Sequence, residues 1–238
     1  MEIRGERECK ECETQWSYYE TGSVSCPECG SMHSVGVDDD RKLHTSQSVE
    51  LDLTEAPERF ENEPEDEALR SVAETARTYQ RKRGFVDAGE LRELDDDYLV
   101  AGELRHVADL VNRSFDPSDD EEWYLLRLLQ GDTQGRPEPA DVPESLREAR
   151  GLAAADAVRK YRRELRDWLD ANDVEPDRPT TQVFASLDER AKRIRALEGD
   201  VPPREADALV EALREVVTYV RDDDEVALSR AQDRLADD

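Results

Sequence analysis

No cysteine occurs after Cys29, and the chain of 238 residues has only four. A disulfide framework beyond that point is therefore excluded, and no free thiol nucleophile remains once those four are engaged. Lysine is nearly as scarce. Lys10, Lys42, Lys82, Lys160 and Lys192 are all there is, so arginine carries most of the positive charge. No apolar run approaches the ~18 residues that a membrane-spanning helix needs, so no span is expected. There is no GxGxxG and no GxxxxGK(S/T), hence no nucleotide cradle. HExxH and GxSxG are also missing. The three histidines have no partner arrangement that would make a Ser-His-Asp triad. Nothing in the sequence names a reaction, and the expectation is a protein that is not an enzyme.

Acid is abundant. Sixty Asp and Glu face 33 Lys and Arg, giving a formal net charge of −27. The sequence pI is near 4.5. High charge with low hydrophobicity is also the signature of disorder, but the helical periodicity described below argues against that for most of the chain. In ordinary salt this charge opposes binding to phosphate backbones, an argument that weakens in molar salt. Acidic pairs are so frequent that no single pair points to catalysis.

The four cysteines fall in two CxxC pairs, Cys9-Lys10-Glu11-Cys12 and Cys26-Pro27-Glu28-Cys29. Two residues between cysteines let both sulfurs turn inward around a tight knuckle, and two knuckles supply four thiolates to one tetrahedral Zn²⁺. Such a site leaves no position for water, so the expected cofactor is one structural Zn²⁺ rather than a catalytic one. Pro27 and Gly30 suit the second knuckle's turn. The first knuckle has Glu13 where the second has Gly30, which makes its turn less ideal. The alternative is two disulfides. Met1 to Glu6 is polar with no secretory character, so a cytoplasmic location and reduced thiols are expected. His33 and His44 could each replace a cysteine as ligand, but with four thiols present they are read as surface groups or neighbours of the ligands. Between the knuckles, Thr14 to Tyr19 and Ser23 to Ser25 read as a hairpin, with a third strand from Met32 to Val37. Ser46 to Leu53 alternates and reads as a strand added to the sheet edge.

Beyond residue 53 the pattern becomes helical. Residues 54–66, acidic and carrying Pro57 and Pro64, read as a linker. Leu69, Val72, Ala73, Ala76 and Tyr79 mark a helix ending in Arg81-Lys82-Arg83-Gly84. Phe85 to Leu94 reads as a short helix, and a longer one follows with Leu99, Leu104, Val107, Ala108 and Val111. Together they give the outline of a helix-turn-helix whose second helix is too acidic to read bases. His106 on that helix reads as a partly buried structural histidine. Asn112-Arg113-Ser114 matches a glycosylation sequon by chance. Trp123, Leu125, Leu126, Leu128 and Leu129 mark the next helix. Residues 132–143 form a Pro/Gly linker. Further helices cover Ser145–Ala171, Thr181–Leu197, a stretch opened by Pro202-Pro203, and Asp222–Leu235. Arg159 to Arg166 make the longest of them locally basic, with Glu164 interleaved. The expected fold is a small β ribbon over 1–53, then an all-α bundle built from 67–131 and 144–238.

The CxxC spacing with Cys29-Gly30 resembles the N-terminal zinc ribbon of transcription factor IIB and its archaeal relatives over about residues 1–45. That resemblance implies a three-stranded ribbon with Cys9, Cys12, Cys26 and Cys29 as zinc ligands. No cyclin-like repeat follows, so the factor's activity is not implied. In its acidity and its arginine in place of lysine the chain resembles proteins of extreme halophilic archaea, where high salt screens an acidic surface. As a whole it is similar to haloarchaeal proteins labelled only as zinc-ribbon-containing. The functional expectation is a protein partner docked through the ribbon, with Trp16, Tyr18 and Tyr19 or Arg81, Lys82 and Arg83 as candidate interaction residues. A transcription-linked nucleic-acid binder using those cations or the Arg159–Arg166 helix face, or an enzyme with a site in the helices, are the alternatives.

Overall fold

The computed structural model describes residues 1–111, 117–131 and 135–236. The sequon match at 112–114, the side chain of Val111 and residues 132–134 of the second expected linker lie outside them. The chain forms two compact units. One gathers Met1–Glu50, Lys82–Arg92 and Glu164–Glu175, and the other Leu51–Arg81, Glu93–Arg163 and Pro176–Asp238. The unit that holds the cysteines thus also draws on two segments distant in sequence.

In the first unit, β1 (Glu2–Ile3) pairs antiparallel with β5 (Lys42–Leu43). A three-stranded antiparallel sheet has β2 (Glu6–Cys9) at its centre, flanked by β3 (Gln15–Ser17) and β4 (Ser34–Gly36). The register sets Arg7 opposite Trp16 and Glu8 opposite both Gln15 and Val35. Tyr18 and Tyr19, expected in a strand, instead open the single-turn helix α1 (Tyr18–Thr21), closed by Gly22 at φ 62°. Ser46 to Leu53 forms no strand. Its alternation reflects burial, since Leu51 and Leu53 are buried without a strand partner.

Phe85 to Leu94 is corrected from helix to hairpin. Strands β6 (Val86–Asp87) and β7 (Glu90–Leu91) are joined by Ala88 and Gly89. Both turn residues have positive φ, 51° and 90°, the two-residue geometry that matches strand twist. The helix-turn-helix outline therefore does not form. The hairpin is held by backbone bonds from Thr45 N to Val86 O and from Gly89 N to Leu43 O, each 2.9 Å. The Trp168 indole donates to Gly89 O at 2.7 Å, and the buried Glu164 carboxylate accepts from Phe85 N–H at 2.7 Å.

The second unit is helical. Helix α2 (Ala56–Asn62) occupies the segment read as an acidic linker, entered through Pro57 in its first turn, where a missing N–H costs nothing. It is followed by α3 (Glu65–Lys82), α4 (Asp96–Val111) and α5 (Asp119–Leu129). Two single turns of 3₁₀ helix, Pro139–Asp141 and Glu144–Leu146, lead into α6 (Arg147–Ala171), whose residues from Glu164 on belong to the first unit. Helices α7 (Arg178–Ala196), α8 (Pro203–Asp222) and α9 (Glu225–Ala236) pack on one another. The predicted apolar positions of α3, α4 and α6 are mostly buried. On α5, Tyr124, Leu125, Leu128 and Leu129 are buried while Trp123 and Leu126 are exposed, because successive helix residues turn by about 100° and cannot all face one core. Ser118 and Glu121 form a capping box at the start of α5. Helix α7 starts three residues before the expected Thr181, where Asp177 accepts from Thr180 N–H at 2.9 Å.

In this unit Gly151 and Gly199 pack backbone against backbone. A Cβ on Gly151 of α6 would meet Gly199 O at 2.2 Å, and one on Gly199, at φ 85°, would meet Glu148 O at 2.2 Å. Neither obstacle is a flexible side chain. Gly151→Ala is expected to cost about 1–3 kcal/mol through overpacking, lowering the melting temperature by several degrees in a thermal scan. An unchanged transition would show that the loop yields freely.

Candidate metal centre

The Sγ atoms of Cys9, Cys12, Cys26 and Cys29 all lie within 4.8 Å of one another. Neighbouring sulfurs are 3.4 Å (Cys12–Cys29), 3.5 Å (Cys12–Cys26) and 3.6 Å (Cys9–Cys29) apart. A disulfide would require about 2.05 Å, and all four are free thiols. Four sulfurs about 2.3 Å from one ion would stand about 3.8 Å apart at the corners of a tetrahedron. The observed spacing is close to that, so the donor set fits a single metal ion.

The two knuckles repeat each other. Glu13 N bonds Cys9 O at 3.1 Å and Gly30 N bonds Cys26 O at 2.9 Å; Cys9 N bonds Thr14 O at 2.9 Å and Cys26 N bonds Ser31 O at 2.8 Å. Glu13 and Gly30 share the left-handed conformation, at φ 63° and 72°. In each pair the first cysteine is buried and the second exposed. Glu13 therefore carries a backbone that glycine adopts without cost, a penalty of about 1–2 kcal/mol for an L-residue, offset in part by glycine's freer unfolded chain. Glu13→Gly should tighten metal binding about twofold in a chelator competition. Weaker binding would mean that the Glu13 side chain contributes more than its backbone costs.

The Thr14 hydroxyl and backbone N–H lower the Cys12 thiol to about 6. For Cys29 the Ser31 N–H acts in the same direction. Its hydrogen bond to Cys12, its partial desolvation and its remaining thiol neighbours outweigh that and push it up to about 12. One thiolate thus forms readily and discourages the next, and a dication is the natural way to hold four together.

Trp16 is buried with Cys9 and Cys26, and its indole donates to Ser23 O at 3.0 Å. It packs the inner side of the site and is not an exposed anchor. Tyr18 and Tyr19 are half-buried, their rings 6.0 and 5.0 Å from His44. The Tyr19 hydroxyl donates to Ile3 O at 3.2 Å. His44 lies outside the thiol cluster; its Nδ1 accepts from Ala88 N–H at 3.2 Å, and burial pushes its pKa down against the pull of Asp87. His33 is exposed and faces Glu11 at 3.2 Å. Arg81 and Lys82 are exposed, but Arg83 is buried and bonds Gly84 O, its guanidinium 5.8 Å from the Phe85 ring. Those three residues therefore do not make one basic patch.

Sequence reasoning missed a charged cluster inside the second unit. Glu103 and Tyr124 are fully buried, and Arg150 is 1% exposed. Arg136 bonds Glu103 at 3.0 Å, Arg150 bonds Asp207 at 2.6 Å and the Tyr124 hydroxyl at 3.0 Å, and Tyr124 donates to Glu103. Asp207 also accepts from Arg136 at 3.2 Å. Glu103 sits four residues after Leu99 and four before Val107, on the apolar stripe of α4. A charge in that position is the one readable signal. His106 meets Asp156 at 3.3 Å and is mostly buried, as a structural histidine would be. A cavity of about 300 Å³ opens beside Arg136, Arg150 and Arg214, and each of these guanidiniums is bonded to a carboxylate of the same unit.

Over residues 1–235 the chain matches a family described as a family of unknown function, DUF7117, and it belongs to that family. No curated protein and no solved structure matches it.

Proposed function

We propose that the protein is a non-enzymatic interaction protein, in which one structural Zn²⁺ holds the N-terminal ribbon in shape and the ribbon docks a protein partner. The observation that carries this is the closed set of four thiols. Four sulfur ligands leave no open coordination position, so the metal's contribution there is to folding and not to chemistry. Zinc is the ion that an all-thiolate tetrahedral set suits best. The ribbon is small enough to need such a staple. A transcription factor IIB-type ribbon is consistent with the two knuckles and the three-stranded sheet.

The nucleic-acid alternative loses support, because Arg83 is buried and Arg162, on α6, is buried against the Phe184 ring at 3.7 Å. The enzyme alternative finds a cavity, but its arginines are engaged by internal carboxylates.

Co-purification of the tagged chain in native salt, with and without a zinc chelator, tests the proposal. It expects one defined protein partner that zinc removal releases. Recovery of nucleic acid alone, or a partner indifferent to zinc, would refute it.

A further inference from the structure

Between Thr21 and Val37 the only charged residue is Glu28, in a chain that is 39% charged. Among the described residues, four of the ten exposed large apolar side chains, Val24, Met32, Val35 and Val37, fall within this stretch of 17 residues. Isolated exposed apolar residues are ordinary. An uncharged segment that exposes several of them, on a molecule otherwise covered in charge, is the pattern of an interface core.

Strand β4 shows how this face is built. It is an outer strand, paired only with β2. Strand alternation puts Val35 and Val37 on one side, at 39% and 44% exposure. The buried Cys9 and Trp16 point to the other side of the sheet, where they meet Cys26. Glu8 lies directly across from Val35 and shares its face. At the end of the strand come Asp38, Asp39 and Asp40, where the Asp38 carboxylate accepts from Glu6 N–H at 2.8 Å. Carboxylates outnumber cations around the apolar pair: Lys10 is engaged by Glu8 at 3.2 Å, and Arg4, beside Gly36, is bonded to Asp39 O at 3.4 Å.

We infer that Val35 and Val37 form the centre of a docking face for a protein segment that presents apolar side chains flanked by lysine or arginine. The inference rests on the interaction reading above and adds the face and the chemistry of the partner. A second copy of this chain is disfavoured, because a two-fold contact would bring the same carboxylates together. Phosphate backbones are disfavoured by the same charges.

A photo-crosslinking amino acid placed at position 35 of the full chain, in the cells that carry it, tests the inference. Val226, exposed at 61%, is the control position. The expected result is an adduct with one protein at position 35 and not at 226, mapped to an apolar segment with basic flanks. With that partner purified, Val35→Glu should raise Kd at least tenfold and leave the zinc content unchanged. Glu8→Lys should weaken binding in the same direction. Adducts at 226 but not 35 would overturn this face and leave an interaction role standing. No adduct at either position would remove both. A self-adduct, a nucleic-acid adduct, or an acidic target segment at position 35 would each overturn the inference.

Discussion

Cys26→Ser should abolish stoichiometric metal binding and unfold the N-terminal unit while the helical unit stays folded. Cys26 is one of the two buried thiols and shares one apolar cluster with Cys9 and Trp16. A serine hydroxyl is a poor zinc ligand, and its shorter reach leaves the tetrahedron incomplete. Structural zinc sites contribute apparent binding energies of about 10–16 kcal/mol near neutral pH, far more than a small three-stranded sheet gains from its own apolar burial. Cys9, Trp16 and Cys26 form the apolar centre beneath the sheet, so losing the metal removes the support of that centre. Trp16 fluorescence and hydrogen exchange across residues 1–50 should report the loss, and chelation of the wild type should reproduce it. Retained native fluorescence in metal-free protein would mean that the unit folds without a metal staple.

Arg150→Met should be the most damaging single change in the helical unit. Arg150 reaches Asp207, Tyr124 and Pro137 O together, at 2.6, 3.0 and 2.9 Å. Burial alone would favour its neutral form, but the Asp207 bond and the charges of Glu103 and Asp207 outweigh this and keep it charged. Tyr124 is raised well above the ordinary phenol range, first by burial and then by the Glu103 charge, so it stays protonated and donates. Methionine fills the volume but leaves Asp207 and the Tyr124 oxygen short of partners. Removing one member of a buried ion network costs about 3–5 kcal/mol, a fall of roughly 10 °C in melting temperature for a unit of this size. Arg150→Lys keeps the charge but not the forked geometry, and should recover less than half of the loss. A methionine variant as stable as the wild type would show that the network confers specificity of packing and not stability.

The parts of this structure that the sequence announces are those where chemistry or burial forces a pattern. Four thiols at CxxC spacing can do few things besides meet at one point, and they do meet. The helices carrying Leu69 to Tyr79, Leu99 to Ala108 and Ala149 to Leu169 repeat because one side of each must be buried. Strand β2 was not announced. Glu6-Arg7-Glu8-Cys9 has no β-branched residue, and it becomes the central strand through pairing on both sides and the cysteine at its end. The hairpin at 86–91 hides because Ala88 takes a left-handed conformation that its residue type rarely signals. The aromatic run at 16–19 reads as strand, yet its last two residues start a turn that Gly22 closes. The domain limits read from composition also differ from the two compact units, since no local pattern marks that residues 82–92 and 164–175 join the cysteine-bearing segment. Glu103 and Arg150 lie in apolar stripes that a search for hydrophobic periodicity passes over.

X-ray absorption at the zinc edge, on protein purified without added metal, tests the central claim most directly. The account predicts one zinc per chain with four sulfur neighbours at about 2.3 Å and no nitrogen or oxygen in the first coordination sphere. A sphere containing nitrogen or oxygen, or a metal-free protein whose cysteines are joined in disulfides, would contradict it.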